Sequence, residues 1–235
     1  MAKLYVVATP IGNLEDITLR ALKILKDVDI ILCEDTRVTK RLLKHYKIKT
    51  PLLSYHQHSK IKRINLILQF LKEGKNLALV CDAGTPGISD PGNKLIERVI
   101  KEFGDKVKII PIPGASAITA IASLAHFSMQ KFLFVGFLPK KKQNKILNEI
   151  ALSPYPVIIF ESPHRIIKTL EKLYVLNPKI EVVVAKELTK YFEEVFRGNI
   201  KEVIEALKQS KIKGEFTLIT KGTVPKKREL GGLEK

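Results

Sequence analysis

No apolar run in this chain approaches the roughly 20 residues needed to cross a bilayer, so no membrane partner is expected. Cysteine is scarce: Cys33 and Cys81 each close a strand-like apolar run and form no CxxC pair. That pattern argues against a zinc site and for reduced thiols in a cytoplasm; no metal is expected. Neither GxGxxG nor GxxxxGK followed by Ser or Thr occurs. Nicotinamide and P-loop nucleotide sites therefore lose their support, and a ligand without a pyrophosphate is the better fit. The opening MAKLYVVATPIGN lacks the long apolar region of a signal peptide and reads as a first strand and turn. Acidic residues are few beside basic ones, 24 against 41, for a formal charge of +17. Such a field attracts polyanions. Nucleic acid is the first candidate, through phosphate neutralisation, and a polyacidic small substrate the second. A general preference for Lys is the plain alternative.

What is present is alternation. Strand-like apolar runs fall at 4–8, 28–33, 77–81, 107–112, 132–137, 157–160, 181–185 and 215–220. Amphipathic helices lie between most of them. Residues 59–73 place Ile61, Ile64, Leu68 and Leu71 on one face. Residues 163–176 are expected to open on Ser162 as N-cap with Pro163 at the first helical position, and 199–209 on Asn199. Alternation of this kind predicts an α/β fold with a largely parallel N-terminal sheet. Pro111, Pro113 and Gly114 interrupt the pattern, and a small-residue helix near 115–125 follows. The expected domains are 1–114 and 115–222, with 223–235 as a flexible basic tail.

The richest segment is LALVCDAGTPGISDPG, residues 77–92. A short uncharged strand breaks into a loop holding Gly84, Gly87, Gly92, Pro86 and Pro91, and a one-faced helix follows. Ligands of open α/β sheets sit beyond the carboxyl ends of such strands. ATPIGN, residues 8–13, follows the first strand in the same way. There Pro10 fixes the chain and Gly12 admits close backbone approach; a tight turn is the alternative. Glu34, Asp35 and Arg37 stand beyond another strand end, where carboxylates can deprotonate or orient a hydroxyl. Helix capping by Asp35 or Thr36 is the alternative, with Lys40, Arg41 and Lys44 on a solvated face. His56 and His58 lack a third metal ligand nearby and suit a surface loop or a position near RNA phosphate. Lys140, Lys141 and Lys142 suit phosphate contact, or a solvated helix start. In ESPHR, His164 and Arg165 are placed in a helical first turn that can hold phosphate, with Glu161 free to face a cationic ligand. AKELTK and the Gly214 segment add little by themselves.

In chain order the segments TPIGNLEDITLRAL, EDTR, SYHQHS, DAGTPGISDPG, PIPGASA, FLFVGFLP, ESPHR, AKELTK and GEFTL resemble one family over roughly residues 1 to 222. It is the ribosomal small-subunit RNA (cytidine-2′-O)-methyltransferases, of the tetrapyrrole methylase fold group. EDTR, SYHQHS and ESPHR favour the RNA enzymes over methylases of tetrapyrroles, whose polycarboxylate substrates would also suit a basic surface. A catalytically silent RNA-binding protein of the same fold is the rival from another class. The resemblance implies two α/β domains with a ligand cleft between them, a cytoplasmic homodimer, and S-adenosylmethionine as methyl donor. It implies a cytidine ribose in the decoding region of 16S rRNA, within the small ribosomal subunit, as acceptor. Donor contacts carried over are Pro10, Asp82, Ala83, Gly84, Thr85, Ile88, Ser116, Ala117, Phe160, Leu188 and Gly214. Glu34 or Asp35 would take the acceptor's proton, with Arg37 on a phosphate or on the carboxylate. RNA contacts are expected from Lys40, Arg41, His56, Lys140, Lys141, Lys142, His164 and Arg165. Gly87 stands where many relatives carry a larger residue, which predicts added loop freedom.

Overall fold

Each of the eight apolar runs forms a strand in the computed structural model, which describes residues 1–222 apart from 57, 58, 91 and 140. His58, Lys140 and the tail 223–235 therefore lie outside the described residues. The chain divides into two compact units, Met1–Ala117 and Ile118–Lys235.

The first unit is built on five strands: β1 (Lys3–Val7), β2 (Ile30–Cys33), β3 (Leu52–Ser54), β4 (Leu77–Leu79) and β5 (Lys108–Ile112). Their order in the sheet is β3-β2-β4-β1-β5, and every pairing is parallel. A parallel sheet buried on both faces requires uninterrupted apolar strands, and Leu77, Ala78 and Leu79 meet that requirement at 0–2% exposure. Four helices cover the two faces. Helices α1 (Leu19–Asp27) and α2 (Thr36–His45) put Ala21, Leu25 and Leu43 against Val7, Ile31 and Ala78. Helices α3 (Ile61–Lys72) and α4 (Gly92–Phe103) put Ile67, Leu71, Leu95 and Val99 against Leu4, Leu32 and Leu79. Alternate residues of each strand serve opposite faces. Strand β3 is a short edge strand, and its three residues fall below what hydrophobic patterning resolves.

The second unit is built on a mixed sheet. Its strands are β6 (Leu133–Phe137), β7 (Val157–Glu161), β8 (Glu181–Lys186), β9 (Glu194–Asn199) and β10 (Phe216–Lys221), in the order β6-β7-β10-β8-β9. Only β6 and β7 pair in parallel; the other three pairings are antiparallel. The cause lies between β8 and β9, where seven residues form a tight connection and leave no room for a crossover helix. Strand β9, EVFRGN, carries charges and a glycine and shows no apolar run. Following α5 (Ala117–Ser123), helices α6 (Gln143–Ala151), α7 (Ile166–Leu176) and α8 (Ile200–Gln209) complete the unit. They pack Leu147, Leu170, Leu173, Val203 and Leu207 onto Val157, Ile159, Val182, Val184 and Leu218. Asn199 caps α8, its side chain accepting from the amide of Lys201. The expected Ser162 cap is corrected: α7 begins at Ile166, with Arg165 at the cap position. The Ser162 carbonyl instead accepts the amides of Arg165 and Ile166 in a preceding turn.

Candidate functional site

Because every strand of the first sheet runs the same way, all its carboxyl ends open on one edge. The loops after β1, β2, β3, β4 and β5 gather there, and hydrogen bonds join several of them. Thr9 and Gly84 exchange backbone bonds, N to O at 2.9 Å and 3.0 Å. The Thr9 hydroxyl donates to the Cys81 carbonyl at 3.1 Å, and the Ala8 amide donates to the Ile112 carbonyl. Gly84 has φ +81, and a Cβ there would stand 3.5 Å from Ile11 Cγ2. Pro10 is buried beside this junction, while Asp82, Ala83 and Ile88 are exposed and Thr85 is half-buried. The Cys81 thiol reaches the carbonyls of Ala83 and Gly84, and burial pushes its pKa well up. It is a buried thiol that packs the base of the loop.

Gly87 does not loosen this loop. Its φ is +92, its amide donates to Asp90 Oδ1 at 2.7 Å, and its carbonyl accepts from Asn93 Nδ2 at 2.9 Å. Asp90 Oδ1 also accepts the amide of Gly92. An L side chain rarely adopts that φ, so glycine here is a geometric requirement of an ordered turn. The organising role of Asp90, inside the SDPG segment, and of Asn93, just after it, is not legible in the sequence.

At the neighbouring strand end, Asp82 Oδ1 accepts the backbone amide of Asp35 at 3.0 Å. Asp35 is the N-cap of α2, accepting the Arg37 amide at 2.8 Å, and its Oδ2 meets Arg37 Nη2 at 2.6 Å. These bonds to Arg37 hold the Asp35 carboxyl down at about 2. The adjacent Glu34 moves the other way. Burial raises its pKa most, the charges of Asp82 and Asp90 add to the rise, and His56 opposes it. One face of the sheet edge thus carries two carboxyls shifted in opposite directions: Asp35, held by Arg37 in its ionised form, and Glu34, which holds its proton more readily. Environments that separate two pKa values in this way mark acid–base roles.

His56 follows β3 and is half-buried, its amide donating to Ser59 Oγ at 2.9 Å. Lys40 and Arg41 are exposed on α2. After β5, Ser116 and Ala117 are half-buried at the start of α5.

The second unit presents its own candidates. Phe160, at the end of β7, stacks edge-on with Phe134 at 5.0 Å and lies 5.4 Å from Phe137. Leu188 is buried between Glu187 and Thr189, non-glycine residues at φ +54 and +66. Glu187 Oε1 accepts the Glu215 amide at 2.9 Å and the Lys190 ammonium at 2.8 Å. Gly214, φ +88, is where a Cβ would overlap the Glu187 carboxylate, so AKELTK and GEFTL are one bonded cluster. Strained backbone of this kind persists where surrounding structure holds it, often at ligand sites. The Thr189 hydroxyl is buried without a partner among the described residues. An adenosyl ligand offers the hydrogen bond this group lacks, and so fits the residues present.

Arg165 and Glu161 are corrected. Glu161 is fully buried and ion-paired, Oε1 to Arg165 Nη2 at 2.7 Å. Its Oε2 accepts the Thr169 hydroxyl at 2.9 Å. Arg165 Nη1 donates to the Leu138 carbonyl at 2.9 Å. The pair braces the interior instead of leaving Glu161 free for a cationic ligand. His164 is exposed. Lys141 and Lys142 are exposed and line a hollow of about 750 Å³ together with Lys145 and Lys172. Among the described residues no three His, Cys, Asp or Glu side chains gather as metal ligands. No helix among them is long and apolar enough to cross a membrane.

The family profile of tetrapyrrole (corrin/porphyrin) methylases matches residues 3–204. A Thermotoga maritima protein named ribosomal RNA small subunit methyltransferase I is 46% identical over 223 residues, 94% of this chain and 99% of that one. A Bacillus subtilis protein of the same name is 44% identical over 226 residues, 95% of this chain and 76% of that one. Among solved structures, a cobalt precorrin-4 methyltransferase aligns at a TM-score of 0.67 and 20% identity, covering 93% of this chain and 94% of the other. The uroporphyrin-III C-methyl transferase of Thermus thermophilus, complexed with S-adenyl homocysteine, aligns at 0.65 and 18%, covering 94% and 98%. At those identities the two structures show a shared fold.

Proposed function

This chain belongs to the tetrapyrrole (corrin/porphyrin) methylase family, and we propose that it methylates the 2′-hydroxyl of a cytidine in the decoding region of 16S rRNA. The methyl donor is S-adenosylmethionine. The observation that carries this reading is the agreement of the relatives: the small-subunit rRNA methyltransferases match over nearly all of this chain at 46% and 44% identity. The first unit's bonded loop edge and the +17 charge support it.

When bound, S-adenosylmethionine supplies a methyl group on a sulfonium, already an electrophile. The chain's own task is to align and deprotonate a poor nucleophile. Alignment supplies up to about 7–11 kcal/mol in favourable cases. In the first unit, Pro10, Asp82, Ala83, Gly84, Thr85, Ile88, Ser116 and Ala117 are the proposed donor contacts. In the second, they are Phe160, Leu188 and Gly214, with the Thr189 hydroxyl added. Glu34 is the proposed base: it accepts the proton of the ribose hydroxyl as the carbon–oxygen bond forms and the carbon–sulfur bond breaks. Asp35, fixed by Arg37, positions the start of α2 beside it. General-base help of this kind contributes about 10²–10⁴-fold. Lys40, Arg41, His56, Lys141, Lys142 and His164 are the proposed RNA contacts. A cytoplasmic homodimer acting on the assembled subunit belongs to the same proposal.

The deciding experiment offers labelled S-adenosylmethionine to small ribosomal subunits lacking the modification and maps the methylated nucleotide. Label on a cytidine 2′-oxygen is the expected result. No label there, with label in a porphyrin precursor, overturns the reading.

A further inference from the structure

Residues 36 to 72 contain ten Lys and Arg and no Asp or Glu. The whole chain carries 24 acids in 235 residues, so a segment of this length at the average density would hold about four. A general preference for Lys adds bases; it does not by itself remove acids. The fold gathers this segment in one place. It supplies α2, the edge strand β3 and α3, and so wraps the β3 edge of the first sheet on both faces.

The foot of α2 within this edge is hollow. Lys40, Lys44, Lys47 and Lys49 line a depression of about 550 Å³ with Leu43, Pro51 and Leu52. All four lysines are exposed, and none forms an ion pair among the described residues, whereas Arg37 pairs with Asp35. Lys44 also lies in the last helical turn, where a cation suits the helix dipole. That accounts for one lysine. Lys47 and Lys49 lie beyond the helix, whose Leu42, Leu43 and Lys44 carbonyls already accept the backbone amides of Tyr46, Ile48 and Lys47. Four unpaired ammonium groups around one depression repel each other, and an anion relieves that repulsion. Helix α2 begins at Thr36, capped by Asp35 next to Glu34, so its basic face leads away from the proposed base over ten residues, about 15 Å.

We propose that the β3 edge, centred on the Lys44–Lys47–Lys49 hollow, holds the sugar–phosphate backbone of the RNA that flanks the methylated nucleotide. This deepens the rRNA reading and rests on it. The surface grips backbone and reads no bases, since phosphate contacts position a partner and carry little sequence information.

The test uses the full chain with Lys44→Gln, Lys47→Gln and Lys49→Gln combined, and 16S rRNA lacking the modification. A control removes three charges elsewhere in the same unit: Lys101→Gln, Lys106→Gln and Lys108→Gln. Circular dichroism verifies folding of both. The hollow variant is expected to bind RNA at least tenfold more weakly near 100 mM salt. Its slope of log affinity against log salt should be shallower by about 2, at about 0.7 per single-strand phosphate contact. S-adenosylmethionine affinity should be unchanged, and the control variant should keep the wild-type slope. Unchanged slope in the hollow variant, or equal loss in the control, overturns the proposal. Competition with inorganic pyrophosphate separates the sources of phosphate: tight pyrophosphate binding at the hollow with an unaltered RNA slope assigns a small anion and overturns it too. Failure of the rRNA reading shows separately, as absence of methyl transfer by the wild-type chain.

Discussion

The Asp82 carboxylate accepts the Asp35 amide at 3.0 Å, across 47 residues of sequence. It ties the loop after β4 to the loop after β2, so the proposed donor loop and the proposed base are mechanically joined. The same carboxylate contributes to the raised pKa of Glu34.

Replacing Asp82 by Ala should therefore act twice. Loss of one hydrogen bond at an exposed position costs about 1 kcal/mol, read as a small fall in urea midpoint. Loss of its charge lets the Glu34 pKa fall, so the acid limb of the pH–rate profile should move to lower pH. A lost activity with an unmoved limb would assign Asp82 to donor binding alone.

Glu34 and Asp35 should separate cleanly. Glu34→Gln is expected to lower methyl transfer by about 10²–10⁴-fold, and Asp35→Asn by much less. In the wild type, rate should rise with pH through a value above the ordinary 4.5 of a glutamate. The stability effects run oppositely. A carboxyl whose pKa is raised on folding stabilises the native state below its unfolded pKa and loses that contribution as pH rises through the folded value. At neutral pH Glu34 is thus a liability, and Glu34→Gln should raise the melting temperature slightly while lowering activity. Asp35, lowered to about 2, contributes above its unfolded pKa and loses that as pH falls toward 2. Equal activity loss in both variants would contradict this division of roles.

Arg165→Met leaves the Glu161 carboxylate buried without its counter-charge. Removing one partner of such a pair costs about 3–5 kcal/mol. The double variant Glu161→Gln with Arg165→Met should be more stable than Arg165→Met alone, because the orphaned charge is gone. Urea unfolding decides it, and the reverse order would show that the pair is not the source of the loss.

Gly87→Ala places a Cβ 2.6 Å from Asn93 Oδ1 at φ +92. Left-handed backbone costs an L residue about 1–2 kcal/mol. If the donor loop must keep this turn to bind, S-adenosylmethionine affinity by calorimetry should fall about tenfold. Wild-type affinity would place the donor away from Gly87.

Much of this architecture was legible locally. Buried parallel strands must be apolar throughout, so Leu77–Leu79 and Val157–Ile159 announce themselves. Asn199 caps a helix because its short amide reaches the next free amide. The strands that escaped notice, β3 and β9, are edge strands, short or polar, with little burial to enforce a pattern. The second sheet's antiparallel pairings escaped for a related reason: periodicity shows that a strand exists and is silent about its neighbour.

Local residue choice sets the strand ends, the glycine and proline loops that follow them, the excess of positive charge and the order of the family motifs. The folded chain inserts β4 between β1 and β2, which brings Asp82 to Asp35. Packing likewise gives Glu34 and Asp35, adjacent in the chain and alike in chemistry, opposite shifts in proton affinity. Apolar patterning is a local record of burial, whereas strand order and a carboxyl's desolvation are set by groups far away in sequence that packing alone brings near.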